Sequence, residues 1–299
     1  MDFIGNIKSV NLLKKALERG ALNHAYLFSG PEKVGKFTLA KMFALSAIAG
    51  EQLNLDIDNI NRDALLDLVI VEPEILEKKG ILKQRDIPIE LIRNSKQSLS
   101  LFPYHGKYKI LIVNDAHRMT IASQNALLKV LEEPNPTTII ILVTHEIDRI
   151  LPTILSRLQV INFGLVENID MTDGFSSDFS FSTDCVELSI GRPGLAKFLN
   201  ENTEEKTFRI EALDELKKIR KGSLNDKFKL AEDLSKNSTK TLDKLNIWMW
   251  ELRKNALMLE EQQRSEAYVG IEQIQQTMAM LKRSNANARL MLETLFMDL

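Results

Sequence analysis

The first half of the chain alternates short, continuous apolar runs with longer stretches whose apolar residues recur at helical spacing. Over residues 1–163 that alternation predicts an α/β domain with a parallel sheet. The strand candidates are "AYLFS" (25–29), "LDLVIVE" (66–72), "YKILIV" (108–113), "TTIIILVT" (137–144) and "LQVINF" (158–163). Helices are predicted between them. "IKSVNLLKKALER" stops at Gly20, a residue suited to the position after a helix end. "GKFTLAKMFALSAIA" follows a glycine-rich loop, and "IPIELIRNSKQSLSL" takes Asp86 as N-cap with Pro88 in its first turn. "IASQNALLKVLEE" takes Thr120 as N-cap and ends before Pro134.

The pattern then changes. Residues 164–183, "GLVENIDMTDGFSSDFSFST", mix Gly, Ser and Asp without a period and read as a linker or a poorly formed subdomain. From residue 185 onward the chain reads as all helical, starting with "CVELSIGRPGLAKFLNE" and continuing through "FRIEALDELKKIRKG" and "LNDKFKLAEDLSK". The last two predicted helices are "TKTLDKLNIWMWELRKNALMLEEQQR" and "YVGIEQIQQTMAMLKRSNANARLMLETLFMDL". Trp248, Met249 and Trp250 lie on an apolar stripe that suits either packing within the chain or contact with another subunit.

A length of 299 residues allows two domains, or one with an appendage. The hydrophobic share of 44% and charged share of 27% are ordinary for a soluble protein. A net charge of −2 argues against a stand-alone, strongly basic DNA binder. Cys185 is the only cysteine, which excludes an intrachain disulfide and a multi-cysteine zinc site and suits a reducing compartment. The N-terminus has no signal-peptide pattern, and the longest apolar run falls far short of a membrane span. A cytoplasmic protein is the expectation. His24, His105, His117 and His145 share no metal-ligand spacing and read as isolated turn or surface residues. Adjacent Glu132 and Glu133 face different sides of a helix end, so they read as structural rather than as a catalytic pair.

The candidate chemistry lies in "SGPEKVGKF". Gly30, Gly35 and Lys36 match the phosphate-loop pattern GxxxxGK[ST], but Phe37 stands where the Ser or Thr hydroxyl belongs. Such a loop cradles phosphate with backbone N–H groups at a helix start, and its Lys neutralises the phosphates. The missing hydroxyl is the group that holds Mg²⁺. Thr38 is a poor substitute, because one step along a helix rotates a side chain by about 100°. In "KILIVNDAHRM", Asn114 occupies the place of the Mg²⁺-directing Asp. Asp115 occupies the place of the Glu that polarises water in the AAA+ class of these enzymes, and it is one methylene shorter. Three departures on the same metal-and-water machinery predict a loop that keeps its shape without hydrolysis.

The segments "NHAYLFSGPEKVGKFTLAKMFA", "YKILIVNDAHRMTIASQNALLKVLEEPNPTTIIILVT" and "ILPTILSRLQVINF" closely resemble the bacterial clamp-loader AAA+ subunits of DNA polymerase III. Among these the chain looks most like the delta-prime subunits. The resemblance is dense over 22–163 and weaker at "ELSIGRPGLAKFL" and "NANARLMLETLF". It implies an α/β AAA+ P-loop domain over 1–163 with a degenerate site, a reduced lid over 164–204 and a helical collar over 205–299. It also implies that Thr144 sits at the sensor position for the γ-phosphate. Ser156 and Arg157 match the start of the Ser-Arg-Cys motif, whose Arg reaches the neighbouring subunit's ATP site; Leu158 replaces the Cys. The lid's sensor Arg would fall near Gly194, with Arg192 displaced by two residues. With one cysteine the chain lacks the four-cysteine zinc module of many relatives.

The implied role is a subunit that helps load the sliding clamp onto primed DNA and lends Arg157 to a neighbour, with no ATPase of its own. Its implied partners are gamma/tau-like and delta-like subunits, the clamp, and primed DNA through the complex, with no membrane. No cofactor is required, weak ATP or ADP binding fits, and neither zinc nor another metal is expected. The rivals are an active gamma/tau-like motor subunit and a small-molecule P-loop kinase. Both need the Mg²⁺ machinery intact.

Overall fold

The computed structural model describes residues 3–56, 62–78, 81–176, 181–257, 259–283 and 287–299. It divides into two compact units, one of Met1–Phe181 with Gly191–Leu195, the other of Ser182–Ile190 with Ala196–Leu299.

The first unit holds a five-stranded parallel sheet. Its strands are β1 (Ala25–Ser29), β2 (Leu68–Val71), β5 (Lys109–Val113), β6 (Thr138–Thr144) and β7 (Gln159–Asn162), in the order β2-β5-β6-β1-β7. A separate antiparallel hairpin, β3 (Ile75–Lys78) and β4 (Ile81–Gln84), was not predicted. The three central strands, β5, β6 and β1, are buried at every position, and the edge strands β2 and β7 only in part. That is why the central strands read as unbroken apolar runs: both of their faces are covered.

Alternate residues serve opposite faces. Tyr26, Phe28, Ile110, Ile112, Ile139 and Ile141 pack with Leu13 of α1 (Ile7–Glu18) and Leu39 and Phe43 of α2 (Lys36–Ala49). Leu27, Leu111, Val113, Ile140 and Leu142 pack with Ile92 of α3 (Ile89–Leu99) and Leu127 and Leu131 of α4 (Ile121–Glu132). Each fully buried side chain of this kind contributes about 1.5–3 kcal/mol. Thr120 caps α4 as predicted, its side chain accepting from the Ser123 N–H. Asp86 does not cap α3; Pro88 stands at the N-cap. The reason is a β-bridge, in which Ile87 donates to the Arg118 carbonyl and accepts from the Thr120 N–H. That bridge holds the backbone extended until Pro88.

The predicted linker over 164–183 instead carries α6 (Asn168–Phe175), which follows the short α5 (Pro152–Leu155) and β7. Beyond it, the single helix expected from "CVELSIGRPGLAKFLNE" is two, α7 (Thr183–Ser189) and α8 (Pro193–Glu201). Ile190 and Gly191 break it with φ of 52° and 68°.

The second unit continues with α9 (Thr203–Lys221), α10 (Leu224–Ser235), α11 (Ser238–Ala256), α12 (Glu261–Arg283) and α13 (Ala288–Asp298). The two long helices predicted at the end are therefore three. Ser223 and Asp226 form a capping box at the start of α10. α11 packs along α12, and α10 along α13. Their core contains Leu245, Trp248, Leu252, Ile274, Leu292 and Phe296. Trp248 is fully buried, and its Nε1 donates to the Ala212 carbonyl at 2.6 Å. The apolar stripe around Trp248 is thus used inside the chain. Among the described residues no helix is long and apolar enough to cross a membrane.

Candidate functional site

Strands β1, β5 and β6 end side by side. Ser29 is in register with Thr144, and Val113 with Leu142. The phosphate loop leaves the end of β1, Asn114 and Asp115 leave β5, and Thr144 closes β6. This carboxyl edge is where ligands bind in open parallel sheets. The sequence-predicted residues Gly30, Gly35, Lys36, Asn114, Asp115 and Thr144 are gathered there.

The loop is a tight anion-cradle shape. Gly30 has φ 146°, and a Cβ on it would lie 2.2 Å from the Phe163 carbonyl oxygen, so only glycine fits. Lys33 and Gly35 are also left-handed, at φ 61° and 95°. Gly194, near which the lid's sensor Arg is expected, donates its N–H to the Lys33 carbonyl at 2.9 Å. A Cβ there would stand 2.9 Å from that same oxygen.

Lys36 is turned back into this loop. Its ammonium donates to the Gly30 carbonyl at 2.7 Å and to the Pro31 carbonyl, and the residue is 6% exposed. Burial pulls its pKa down to about 8, against the opposing charges of Glu32 and Asp115. Phe37 packs against the core, with the Lys41 ammonium 4.0 Å above its ring. Thr38 is half-buried at the next helical position. The Asn114 amide Nδ2 donates to Glu72 Oε1 at 3.0 Å.

As oxygen donors for a Mg²⁺–nucleotide these residues are fewer than the phosphate-loop pattern calls for. The Phe37 side chain has no oxygen and Asn114 is uncharged, which leaves Asp115 to supply a carboxylate at this edge. Mg²⁺ takes oxygen ligands in near-octahedral array, commonly one or two carboxylates with waters and substrate phosphates.

Asp115 stands at the turn after β5 with left-handed backbone, φ 48° and ψ 47°. Burial disfavours its charge, but a hydrogen bond from His145 and the nearby charges of His117, His145 and Arg118 outweigh that and hold its pKa below the ordinary value. His145 Nδ1 lies 3.6 Å from Asp115 Oδ1. His117 is buried, and its ring meets that of His145 edge-on with centroids 4.1 Å apart. Burial, with His145 alongside, pushes the His117 pKa down to about 4. The Thr144 hydroxyl is fully buried, 3.4 Å from His117 Nδ1, and accepts from the Glu146 N–H at 3.1 Å. His117 and His145 are therefore neither isolated nor both at the surface, as the sequence had suggested. The signal for them was positional, since each sits just past the end of one of two adjacent strands.

Arg157 lies elsewhere. It precedes β7, whose first paired residue, Gln159, aligns with Tyr26 near the start of β1. The phosphate loop follows the other end of β1, so Arg157 stands at the opposite edge of the sheet from its own loop. Its guanidinium donates to the Thr153 carbonyl at 2.7 Å, to Ser156 Oγ at 3.2 Å and to Glu132 Oε1 at 2.9 Å. The side chain remains 35% exposed. Glu132, read from sequence as structural, is the partner that orients it.

The chain is similar in sequence to known proteins. Residues 5–167 match the family described as "DNA polymerase III, delta subunit". The chain is 33% identical over 170 residues to DNA polymerase III subunit tau of Bacillus subtilis, covering 54% of this chain and 28% of that one. It is 32% identical over 160 residues to subunit delta' of the same organism, covering 52% and 46%. Against subunit gamma/tau of Mycoplasma genitalium, identity is 30% over 233 residues, covering 75% and 33%. Each match spans less than half the length of the relative. With more than half of its own length matched, the chain belongs to the DNA polymerase III, delta subunit family, among the clamp-loader subunits of that polymerase.

Proposed function

We propose that this chain is a delta-prime-like member of the clamp loader, which helps place the sliding clamp on primed DNA without hydrolysing ATP itself. The observation that carries the reading is the make-up of the phosphate loop and of the turn after β5: Phe37 stands in the place of the metal-holding hydroxyl and Asn114 in that of the metal-directing Asp. The loop keeps its shape, and weak ATP or ADP binding remains compatible with it. Hydrolysis requires Mg²⁺ positioning and an oriented water; Phe37 and Asn114 weaken the first, and Asp115, one methylene shorter than Glu, falls short of the second.

In the same reading Arg157 serves a neighbour. Its place at the opposite edge of the sheet supports action in trans, and a guanidinium suits the task because it is always charged and forks onto phosphate oxygens. Residues 205–299, within the second unit, then supply the collar that joins the ring of gamma/tau-like and delta-like subunits. Val269, Leu290 and Met297 are exposed apolar side chains on that unit, available for such contact. The site requires no cofactor in this role.

The alternative, an active gamma/tau-like motor, is favoured by one observation: the identity to tau slightly exceeds that to delta'. ATP turnover by the purified chain with Mg²⁺ separates the two. The proposed role gives background turnover; a rate at the kinase scale of about 1 s⁻¹ or above would establish the motor.

A further inference from the structure

We propose that Asp115, His117 and His145 form a binding site for a divalent transition-metal ion of the zinc type, built into the carboxyl edge of the sheet. The inference is independent of the part the chain plays in clamp loading. It starts from the distances: one ligand atom from each of the three side chains lies within 4.8 Å of the other two. Of these, His145 Nδ1 and Asp115 Oδ1 are 3.6 Å apart. Tetrahedral zinc with bonds of about 2.0–2.2 Å sets its ligand atoms roughly 3.4 Å apart. Small side-chain rotations close the remaining gap.

The outer contacts fit as well. A histidine that binds metal through one ring nitrogen usually holds an oxygen with the other, which fixes its tautomer and raises its basicity. His117 Nδ1 faces the Thr144 hydroxyl at 3.4 Å, which leaves Nε2 for the ion. His145 offers Nδ1 on the Asp115 side, and its Nε2 faces Glu146 Oε1 at 3.8 Å. Thr144 is fixed in turn by the Glu146 N–H. Each imidazole therefore has an oxygen near one ring nitrogen, Thr144 Oγ1 for His117 and Glu146 Oε1 for His145.

The donor set decides the class of metal. Two imidazoles and one carboxylate suit zinc and its first-row neighbours, whereas Mg²⁺ and Ca²⁺ need oxygen ligands. Lys36 and Arg118 place positive charge near Asp115, which works against any cation there, so the two imidazole nitrogens must supply the preference for a transition metal. The side chains of Asp115 and His145 are 21% and 26% exposed, so the fourth position opens to water. The bound ion would tie the turn after β5 to the turn after β6.

The test uses the full chain, stripped with chelator, dialysed, and titrated by calorimetry with Zn²⁺ and with Co²⁺. The proposal expects one ion per chain, visible Co²⁺ absorption of the tetrahedral type, and no comparable heat with Mg²⁺. His145→Ala and Asp115→Asn, whose side chains are partly exposed and whose folding is checked by circular dichroism, should each weaken Zn²⁺ binding by more than about 100-fold. Glu146→Gln, which removes an outer partner, should weaken it about 10-fold. His24→Ala and His105→Ala should leave it unchanged. Absence of stoichiometric Zn²⁺ binding would overturn the proposal. So would a loss of less than tenfold in folded His145→Ala, or a loss of binding in His24→Ala or His105→Ala.

Discussion

The Arg157 guanidinium and the Glu132 carboxylate meet at 2.9 Å, on the edge of the sheet opposite the phosphate loop. Glu132 is half exposed, and an ion pair of this kind is worth about 0.2–1 kcal/mol. Its significance lies in orientation, since it holds the arginine ready at an open surface. Glu132→Gln should therefore change unfolding free energy by less than about 1 kcal/mol in chemical denaturation. In a reconstituted complex it should lower ATP turnover less than Arg157→Ala does, because the arginine loses an orienting partner but is not removed. A stability loss well beyond that range would show the pair to be a structural anchor.

Asp67 sets a pH dependence. Its fully buried carboxylate accepts backbone N–H groups from Tyr104 at 2.7 Å, His105 at 3.0 Å and Gly106 at 2.9 Å. Burial alone would raise its pKa, but these donors, with the Lys109 charge, outweigh it and lower the pKa. The unfolded chain then binds this proton more readily than the folded one. The stabilisation is present above the unfolded value of about 4 and is lost as pH falls through the lower folded value. Asp67→Asn should cost about 2–4 kcal/mol at pH 7, since buried N–H groups lose their charged acceptor. The difference from wild type should shrink toward pH 3, as read from denaturation midpoints at the two pH values.

Trp248 should behave as core. Trp248→Ala removes a fully buried indole and its hydrogen bond to Ala212, and should destabilise the helical unit by about 3–5 kcal/mol. Trp250→Ala, at a half-buried position, should cost clearly less. Equal and small effects on stability, with lost assembly in both, would return the stripe to a subunit interface.

What the sequence disclosed follows from how local its causes are. β1 was legible to the residue and β6 nearly so, because a strand covered on both faces needs an unbroken apolar run. The Thr120 cap was legible because its partner, Ser123, lies three residues away. The failures were non-local. Ile87 is committed to a bridge with Met119, which displaced the cap from Asp86 to Pro88. The α7–α8 break comes from left-handed backbone at Ile190 and Gly191, and a β-branched residue gives no advance sign of that conformation.

The site divided in the same way. Gly30, Gly35 and Lys36 are contiguous enough to read as a motif, and the substitutions at Phe37 and Asn114 are visible by position. That Lys36 turns onto its own loop was not visible, because a side chain's direction is set by its surroundings. The pairing of His117 with His145 depends on β5 lying beside β6, which spacing along the chain does not express. Arg157 was legible only through resemblance, and its separation from its own loop emerged from the register of β7 on β1.

The most direct test of the account is the ATPase of the reconstituted clamp loader carrying Arg157→Ala in this chain. An arginine acting in trans contributes about 10³–10⁵ in rate at the one site it serves, or roughly 4–7 kcal/mol of barrier. Arg157→Ala should fold and assemble normally while clamp- and DNA-stimulated turnover falls in part, by the share of that single site, and Arg157→Lys should not restore it. Unchanged turnover and unchanged clamp loading by an assembled complex containing Arg157→Ala would contradict the account.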